Sequence, residues 1–311
     1  MLQAADVWFG YDARVPVVRG VSLAVPADGL VGLLGPNGSG KTTMLRLLAG
    51  TRRPQRGTVT LDGLPISRSS RGMLARRMAV VPQETQLAFE YTALEVAMMG
   101  RYPHLGAFAI EGPDDLAIVE DALRATGTLA LRDRLFTTLS GGEKQRVVIA
   151  SALAQVSRRD FRLKAEATGE PKGESRDFRL KADATEEPRS EPRSFRLQAE
   201  DTRPGILLLD EPTASLDLGY QLEVAALLRQ LHDERGVAIV LSTHDVNLAA
   251  SLCTSIVLMR DGAIVAVGTP RDVLTRDAVR RLYGVDADVI DHSSGHPVIV
   301  PLGRIRDGAR G

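Results

Sequence analysis

The sequence predicts an α/β fold in which a parallel sheet forms the core and carries an antiparallel β subdomain and a helical subdomain. Three aliphatic runs, each ending in glycine or polar residues, have the pattern of buried parallel strands: residues 30–34, 206–209 and 237–241. Residues 1–28 and 56–66 carry short strand-like runs separated by glycine-rich turns, which predicts antiparallel strands. Residues 84–138 are expected to be mainly helical.

The first aliphatic run leads into a glycine-rich loop. Residues 29–43 read Gly-Leu-Val-Gly-Leu-Leu-Gly-Pro-Asn-Gly-Ser-Gly-Lys-Thr-Thr, and residues 35–42 match the phosphate-loop pattern G-x-x-x-x-G-K-[ST]. Apolar residues then recur at helical spacing until Gly50, which gives the required order of strand, loop and helix. An ordinary glycine-rich turn with an incidental lysine is the alternative, and the flanking elements disfavour it.

The chemistry of phosphate binding explains these residue types. Glycines 35, 38 and 40 let backbone N–H groups turn inward around phosphate oxygens, and the following helix adds its positive N-terminal end. Lys41 is expected to reach the β- and γ-phosphates, and Thr42 to place its hydroxyl on Mg²⁺. The residues expected to bind the nucleotide here are Gly35, Pro36, Asn37, Gly38, Ser39, Gly40, Lys41, Thr42 and Thr43.

The second aliphatic run delivers two carboxylates to the end of its strand. Asp210 and Glu211 follow residues 206–209 directly and precede Pro212. We expect Asp210 to support the Mg²⁺ shell and Glu211 to polarise the attacking water. A polar strand end before a turn is the alternative, and the complete phosphate loop makes the catalytic interpretation the better one.

Three single residues complete the expected site. Gln83 follows a strand-like segment and is expected to contact Mg²⁺ or the water, while His244 follows residues 237–241 and is expected to bond the γ-phosphate. Tyr11 is expected to stack on adenine. Taken alone, each has an ordinary alternative: a solvated glutamine, a structural histidine and an aromatic side chain that only packs.

The C-terminal region is expected to contain a short helix and a final pair of strands. Thr269 has the position of an N-cap, Pro270 that of the first helical residue and Asp272 that of an acid in the first turn. The strands are expected around Val289 and Val298.

One further motif, Leu139-Ser140-Gly141-Gly142-Glu143, makes the set recognisable. With it, the chain resembles the ATP-binding cassette (ABC) family, which implies a P-loop NTPase core. In that comparison the Walker A loop is residues 35–43, Gln83 is the Q-loop glutamine, Walker B ends at Asp210 and Glu211 is the catalytic glutamate. The D-loop is Ser215-Leu216-Asp217, the switch histidine is His244, and the resemblance covers nearly everything outside residues 156–203.

The resemblance implies a second copy of the chain. Ser140 and the amides of Gly141 and Gly142 would begin a helix, expected over residues 142–155, and bind the γ-phosphate held by the opposite subunit. Two chains would then sandwich two ATP molecules head to tail as a homodimer. A plain N-cap and turn is the alternative interpretation.

Composition and family resemblance together suggest the partners. The totals of 39 basic and 39 acidic residues give no reason to expect nucleic-acid binding. No apolar run reaches the roughly 18 to 20 residues that cross a bilayer, no signal peptide is visible, and the single cysteine, Cys253, excludes an intrachain disulfide. We therefore expect a peripheral subunit on the cytoplasmic face of the inner (plasma) membrane. Its expected partners are multi-span permease subunits and, indirectly, a periplasmic or surface substrate-binding protein.

The cargo is predicted only by analogy within the family. Residues 100–106 and the ending from residue 283 to 301 resemble importers of iron–siderophore complexes, haem and cobalamin. These residues are expected to contact the permease. The alternatives are an ABC system for another solute, importer or exporter, and an ABC ATPase that moves no solute.

A repeat separates the two parts of the predicted ATPase domain. Near-identical units begin at Phe161, Phe178 and Phe195, a spacing of 17 residues. Mixed charges, prolines and few bulky residues predict a disordered loop, with a weak hairpin or a partner-binding segment as alternatives. The expected domains are thus 1–155, 156–203, 204–268 and 269–311. Because a tenfold longer loop costs only about 2 kcal/mol, we expect deletion of residues 156–203 to leave ATP hydrolysis largely intact.

Overall fold

The aliphatic runs of the sequence form a central sheet, and the computed structural model describes it within residues 1–12, 14–85, 87–106, 109–157, 203–214 and 216–304. In these ranges the sheet has six strands, in the order β10-β9-β3-β8-β7-β6. They are β3 (Leu30–Leu34), β6 (Met78–Val81), β7 (Ile206–Asp210), β8 (Ala238–Thr243), β9 (Ser255–Arg260) and β10 (Ala263–Gly268). β10 pairs antiparallel with β9 at one edge, and the other neighbours pair in parallel.

The parallel register gathers the polar strand ends at one edge of the sheet. Leu34 is opposite Thr243, and Asp210 is opposite Ser242. Helices cover the strands, so β7 is buried from Ile206 to Leu209, and its first polar residue is Asp210. The phosphate-loop segment follows β3 at this same edge, where ligands of open parallel sheets bind.

The N-terminal sheet is antiparallel, which confirms the prediction for residues 1–28 and 56–66. Its order is β2-β1-β4-β5. The strands are β1 (Leu2–Phe9), β2 (Val18–Val25), β4 (Arg56–Leu61) and β5 (Leu64–Pro65). Alternate residues of β1 and β2 face a shared core with the first helix, α1 (Lys41–Leu48).

The prediction that residues 84–138 are mainly helical is also confirmed. After α2 (Arg71–Arg77), this region contains α3 (Ala93–Met98), a 3₁₀ segment (Met99–His104) and α4 (Pro113–Ala125). These elements pack on α5 (Gly141–Val156), which carries the motif of residues 139–143 at its start.

The segment of residues 100–106 contains both buried and exposed residues, and its expected contact with a permease stays a prediction. Arg101 is fully buried, and its guanidinium pairs with Asp115 at 3.0 Å. It also donates to the carbonyls of Ala154 and Ser157 at the end of α5. His104 shares a 2.7 Å hydrogen bond with the carbonyl of Gln155, and burial lowers the pKa of this imidazole. Tyr102, by contrast, is exposed.

The C-terminal part has the predicted pair of strands, but two short helices precede them instead of the one expected. α6 (Leu218–Arg235) and α7 (Val246–Leu252) precede the last two sheet strands, and α8 (Pro270–Val273), α9 (Arg276–Tyr283), β11 (Val285–Asp291) and β12 (Pro297–Arg304) follow them. Thr269 caps α8 through a capping box with Asp272, as expected. None of the helices in the described ranges combines the length and the hydropathy needed to cross a lipid bilayer.

The predicted insert is attached at two neighbouring points. α5 ends at Val156, one residue past the expected boundary, and Ser157 hydrogen-bonds back to Leu153 through its hydroxyl. A Cβ on Gly205 would lie 2.6 Å from Val156, so the chain before β7 passes directly beside the end of α5. The prediction of disorder covers residues 156–203; it is wrong for Val156, which is the last residue of α5, and residues 158–202 lie outside the described residues.

These two attachment points define which residues a deletion should remove. Replacing residues 158–202 by a short Gly-Ser linker is expected to keep ATP hydrolysis within about twofold of the full chain, because the two ends are already adjacent. Steady-state phosphate release measures this. The matched control begins the deletion at Val156, a buried residue, and is expected to lower the melting temperature. Loss of ATP hydrolysis in the first variant would contradict the prediction.

Candidate active site

The loop between β3 and α1 has a conformation that only glycine allows. Gly38 and Gly40 have φ values of +80° and +98°, in the left-handed region. A Cβ on Gly35 would lie 2.1 Å from the carbonyl oxygen of Met259. The backbone can therefore close around a ligand without side chains in the way.

Lys41 extends back across this loop. Its Nζ donates to the carbonyl oxygens of Gly35 at 2.8 Å and Pro36 at 3.2 Å, and lies 3.5 Å from Glu211 Oε1. The side chain is only 4% exposed. Burial lowers the pKa of this ammonium, while the nearby carboxylates of Glu211 and Asp210 oppose the shift. The positive charge is thus held at the loop by carbonyls and acids rather than by water.

A cavity of about 310 Å³ opens beside the loop, a size typical of small-molecule sites. It is lined by Val17, Asn37, Gly38, Ser39, Gly40, Lys41, Thr42, Thr43, Gln83 and Glu211. The hydroxyl of Ser39 is buried and has no hydrogen-bond partner in the described part of the protein. The cavity therefore offers backbone amides, a free hydroxyl and an ammonium, which are the groups that bind phosphate oxygens.

Asp210 joins the loop to the neighbouring strands. Its Oδ1 accepts hydrogen bonds from Thr42 Oγ1 at 2.9 Å and from Ser242 Oγ at 2.6 Å. A hydroxyl and a carboxylate at this spacing are hard oxygen ligands, which suit Mg²⁺ next to a phosphate. Gln83 lines the same cavity and could add an amide oxygen.

Glu211 occupies a strained position at the strand end. Its φ is +45°, uncommon for any residue other than glycine. Its backbone N–H donates to the carbonyl and the hydroxyl of Ser242, at 3.1 and 3.0 Å. One carboxylate oxygen lies near Lys41, and the other lies 3.3 Å from His244 Nδ1. The strain thus aims the carboxylate between an ammonium and an imidazole at the rim of the cavity.

Ser242 is the residue of this site that the sequence analysis missed. Its hydroxyl donates to the Asp210 carboxylate and accepts from the Glu211 backbone N–H, because the register of β7 and β8 places it opposite Asp210. The available signal was its position at the end of the aliphatic run of residues 237–241, directly before Thr243 and His244.

Tyr11 lies beside the loop but does not line its cavity. The hydroxyl is 3.4 Å from Thr43 Oγ1, and the side chain is 54% exposed. The phenol ring is thus available as a stacking surface at the side of α1.

Ser140, Gly141 and Gly142 are not among the residues that line the phosphate-loop cavity. Ser140 is the N-cap of α5, which begins at Gly141, and forms a capping box with Glu143. Gly141 lines a second cavity of about 240 Å³, which Gln83 also lines. Within the described part of one chain, this helix start and the phosphate loop therefore belong to different cavities.

Comparison with known proteins identifies the family of the chain. Residues 18–159 match the sequence model of the ABC transporter family. The hemin import ATP-binding protein HmuV of Bordetella pertussis is 37% identical over 89% of this chain and 90% of its own length. The chain belongs to the ABC transporter family.

Comparisons with two further proteins support this assignment. The ferric enterobactin transport ATP-binding protein FepC of Escherichia coli is 31% identical, over 97% of this chain and 94% of its own. A solved structure described as an inward-facing conformation of a putative metal-chelate type ABC transporter superposes with a TM-score of 0.72. It is 24% identical and covers 97% of this chain and 96% of its own, which establishes the fold. The protein is an ABC-type ATPase with a P-loop core, and such enzymes bind ATP.

The structure describes two residues of the predicted D-loop, Leu216 and Asp217. Leu216 lines the second cavity, and Asp217 caps α6 by accepting from the backbone of Tyr220 at 3.0 Å. Gln221 donates to the carbonyls of Thr213 and Leu216, which ties this loop to α6. Ser215 lies outside the described residues.

Proposed function

We propose that this ABC ATPase drives the uptake of a metal chelate, namely haem, cobalamin or an iron–siderophore complex, through a separate permease. The ATPase part is carried by one observation, the placement of the Glu211 carboxylate between Lys41 and His244 beside the phosphate-loop cavity. The cargo class is supported by relatives whose names specify hemin and ferric enterobactin.

The residues in and around the cavity have distinct roles in this proposal. The Lys41 ammonium and the backbone N–H groups of the loop residues other than Pro36 bind the phosphate chain, while Tyr11 stacks on the base. Thr42, Asp210 and Gln83 would hold Mg²⁺, which would neutralise charge on the phosphates. Ser242 fixes Asp210 and the Glu211 backbone relative to each other.

Hydrolysis then depends on Glu211 and His244. The Glu211 carboxylate accepts a hydrogen bond from the attacking water and orients it in line with the γ-phosphate. His244, more than half exposed, binds Glu211 on one side and is free to donate to the γ-phosphate on the other. Glu211 lines the cavity and His244 is more than half exposed, so the site needs a cover to exclude bulk water.

A second copy of the chain provides that cover in our proposal. Ser140, Gly141 and Gly142 start a 16-residue helix, whose positive end attracts an anion. Because these residues do not line their own chain's phosphate cavity, we assign them to the γ-phosphate of the partner in a head-to-tail homodimer.

The dimer is tested at Ser140. In a Glu211→Gln background, which slows hydrolysis, ATP with Mg²⁺ is expected to convert the chain to a dimer in analytical ultracentrifugation. Adding Ser140→Arg is expected to keep it monomeric, since the large cation occupies the anion site. Ser70→Arg is the matched control because Ser70 is also an N-cap, on α2, and is exposed. Dimerisation of the Ser140→Arg protein would refute the assignment.

The remaining partners follow from the family and stay proposals. We place the protein at the cytoplasmic face of the inner membrane, bound to multi-span permease subunits and served indirectly by a substrate-binding protein. The domain limits are proposed as one ATPase domain, residues 1–157 with 204–268, interrupted by the repeat insert and followed by a C-terminal segment.

The cargo is tested with the assembled complex. The chain is co-purified with the permease encoded beside it, reconstituted in liposomes and supplied with the binding protein and haem, cobalamin or a ferric siderophore. One of these is expected to stimulate ATP hydrolysis and accumulate in the lumen. Export of a solute, with no stimulation by any chelate, would overturn the importer assignment while leaving the ATPase assignment intact.

A further inference from the structure

The ring of Tyr11 is held from several directions although more than half of it is exposed. Its hydroxyl accepts a 3.1 Å hydrogen bond from the Arg46 guanidinium and lies 3.4 Å from Thr43 Oγ1. The guanidinium of Arg52 lies over the ring, 5.6 Å from its centre. Phe9 meets the ring edge-on at 5.1 Å. An exposed tyrosine on a strand end would otherwise rotate freely.

The two arginines reach the ring from α1 and the turn that follows it. Arg46 is three residues after Thr43, so the two side chains lie on the same face of α1. The backbone N–H of Arg52 donates to the Arg46 carbonyl at 3.1 Å, which folds the turn back toward the helix. Both arginines are therefore positioned by the helix that begins with the phosphate-loop lysine.

Within the described part of the protein, the contacts of the Tyr11 ring are to one face and one edge. The Arg52 cation occupies one face at a distance typical of cation–π contacts, and Phe9 occupies an edge. The hydrogen bond with Thr43, and then that from Arg46, lower the pKa of the Tyr11 hydroxyl, while burial opposes the shift. The hydroxyl is thus engaged with α1 rather than with solvent.

We propose that Arg46 and Arg52 are positioning residues that hold Tyr11 as a fixed stacking surface for the base of the bound nucleotide. The inference rests on the proposed nucleotide site. A fixed ring stacks on a base without first losing rotational freedom, so the arginines strengthen binding of the base without touching the phosphates. The rival role for two arginines is general attraction of the phosphate chain.

The test compares two ligands of the full chain. Arg46→Ala and Arg52→Ala are each expected to weaken ATP binding about fivefold and to leave binding of inorganic tripolyphosphate, which has no base, unchanged. Arg53→Ala is the control, since Arg53 is an exposed neighbour with the same charge. Calorimetric titration in the presence of Mg²⁺ gives all of these affinities.

A double-mutant cycle with Tyr11→Ala separates positioning from charge. Once the ring is absent, Arg46→Ala is expected to cause no further loss of ATP affinity. Equal losses for ATP and tripolyphosphate, or a full additional loss in the Tyr11→Ala background, would overturn the proposal in favour of phosphate attraction. Unchanged ATP affinity in both arginine variants would overturn it outright.

Failure of the underlying site gives a different result. If the wild-type chain bound neither ATP nor tripolyphosphate, the phosphate-loop assignment itself would be wrong. If tripolyphosphate bound normally and only the arginine effects were missing, the nucleotide site would stand and the stacking proposal would fall.

Discussion

Replacing Glu211 by glutamine is expected to reduce the rate of ATP hydrolysis by about a hundredfold to ten-thousandfold, the usual contribution of a general base. The side chain keeps its size but loses the charge that lies 3.5 Å from Lys41 and 3.3 Å from His244. A neutral amide cannot accept the proton of the attacking water. ATP binding is expected to be retained, because the variant removes a negative charge from beside the phosphate site.

The measurement is single-turnover hydrolysis together with an independent affinity for ATP. Glu90→Gln serves as the control because Glu90 is exposed and does not line either cavity described above. Hydrolysis at the wild-type rate in the Glu211→Gln protein would remove Glu211 from its proposed role. Loss of ATP affinity as large as the loss of rate would show a structural role instead.

Replacing Lys41 by alanine is expected to lower the affinity for ATP as well as the rate of hydrolysis. The ammonium is buried and already fixed by the carbonyls of Gly35 and Pro36, so it is preorganised for an anion. Removing a charge-assisted contact of this kind is expected to weaken ATP binding about a hundredfold. Hydrolysis is expected to fall below detection at ordinary ATP concentrations.

The control for Lys41 is Lys144→Ala, since Lys144 lines the other cavity. Titration is done at protein concentrations where the chain is monomeric, so that only the phosphate loop is probed. Thermal unfolding of both variants without ATP checks folding, because Lys41→Ala leaves Glu211 without its cationic neighbour. Wild-type ATP affinity in a folded Lys41→Ala protein would contradict the phosphate-loop assignment.

Much of the fold and of the site is predictable because it depends on local patterns. The loop of residues 35–42 has a fixed spacing, and buried strands such as β7 are continuous aliphatic runs that end at their first carboxylate. Capping motifs predict helix starts closely: α5 begins at Gly141 rather than at the expected Gly142, because the Ser140 cap includes both glycines in the first turn.

The unpredicted features depend on contacts between distant segments. Ser242 contacts Asp210 and Glu211 only because β7 and β8 pair in one particular register. This register cannot be read from the sequence. The positive φ of Glu211 and the pairing of Arg101 with Asp115 likewise could not be predicted from local sequence patterns.

The two points at which residues 158–202 join the rest of the chain indicate where additional sequence can be inserted. α5 spans about 24 Å, with Ser140 at one end and Val156 at the other, and β7 likewise begins at Ile206 beside Val156 and ends at Asp210. Added sequence therefore enters at the ends of both elements that are farthest from Ser140 and Asp210. This junction is therefore a suitable place for grafting a reporter domain.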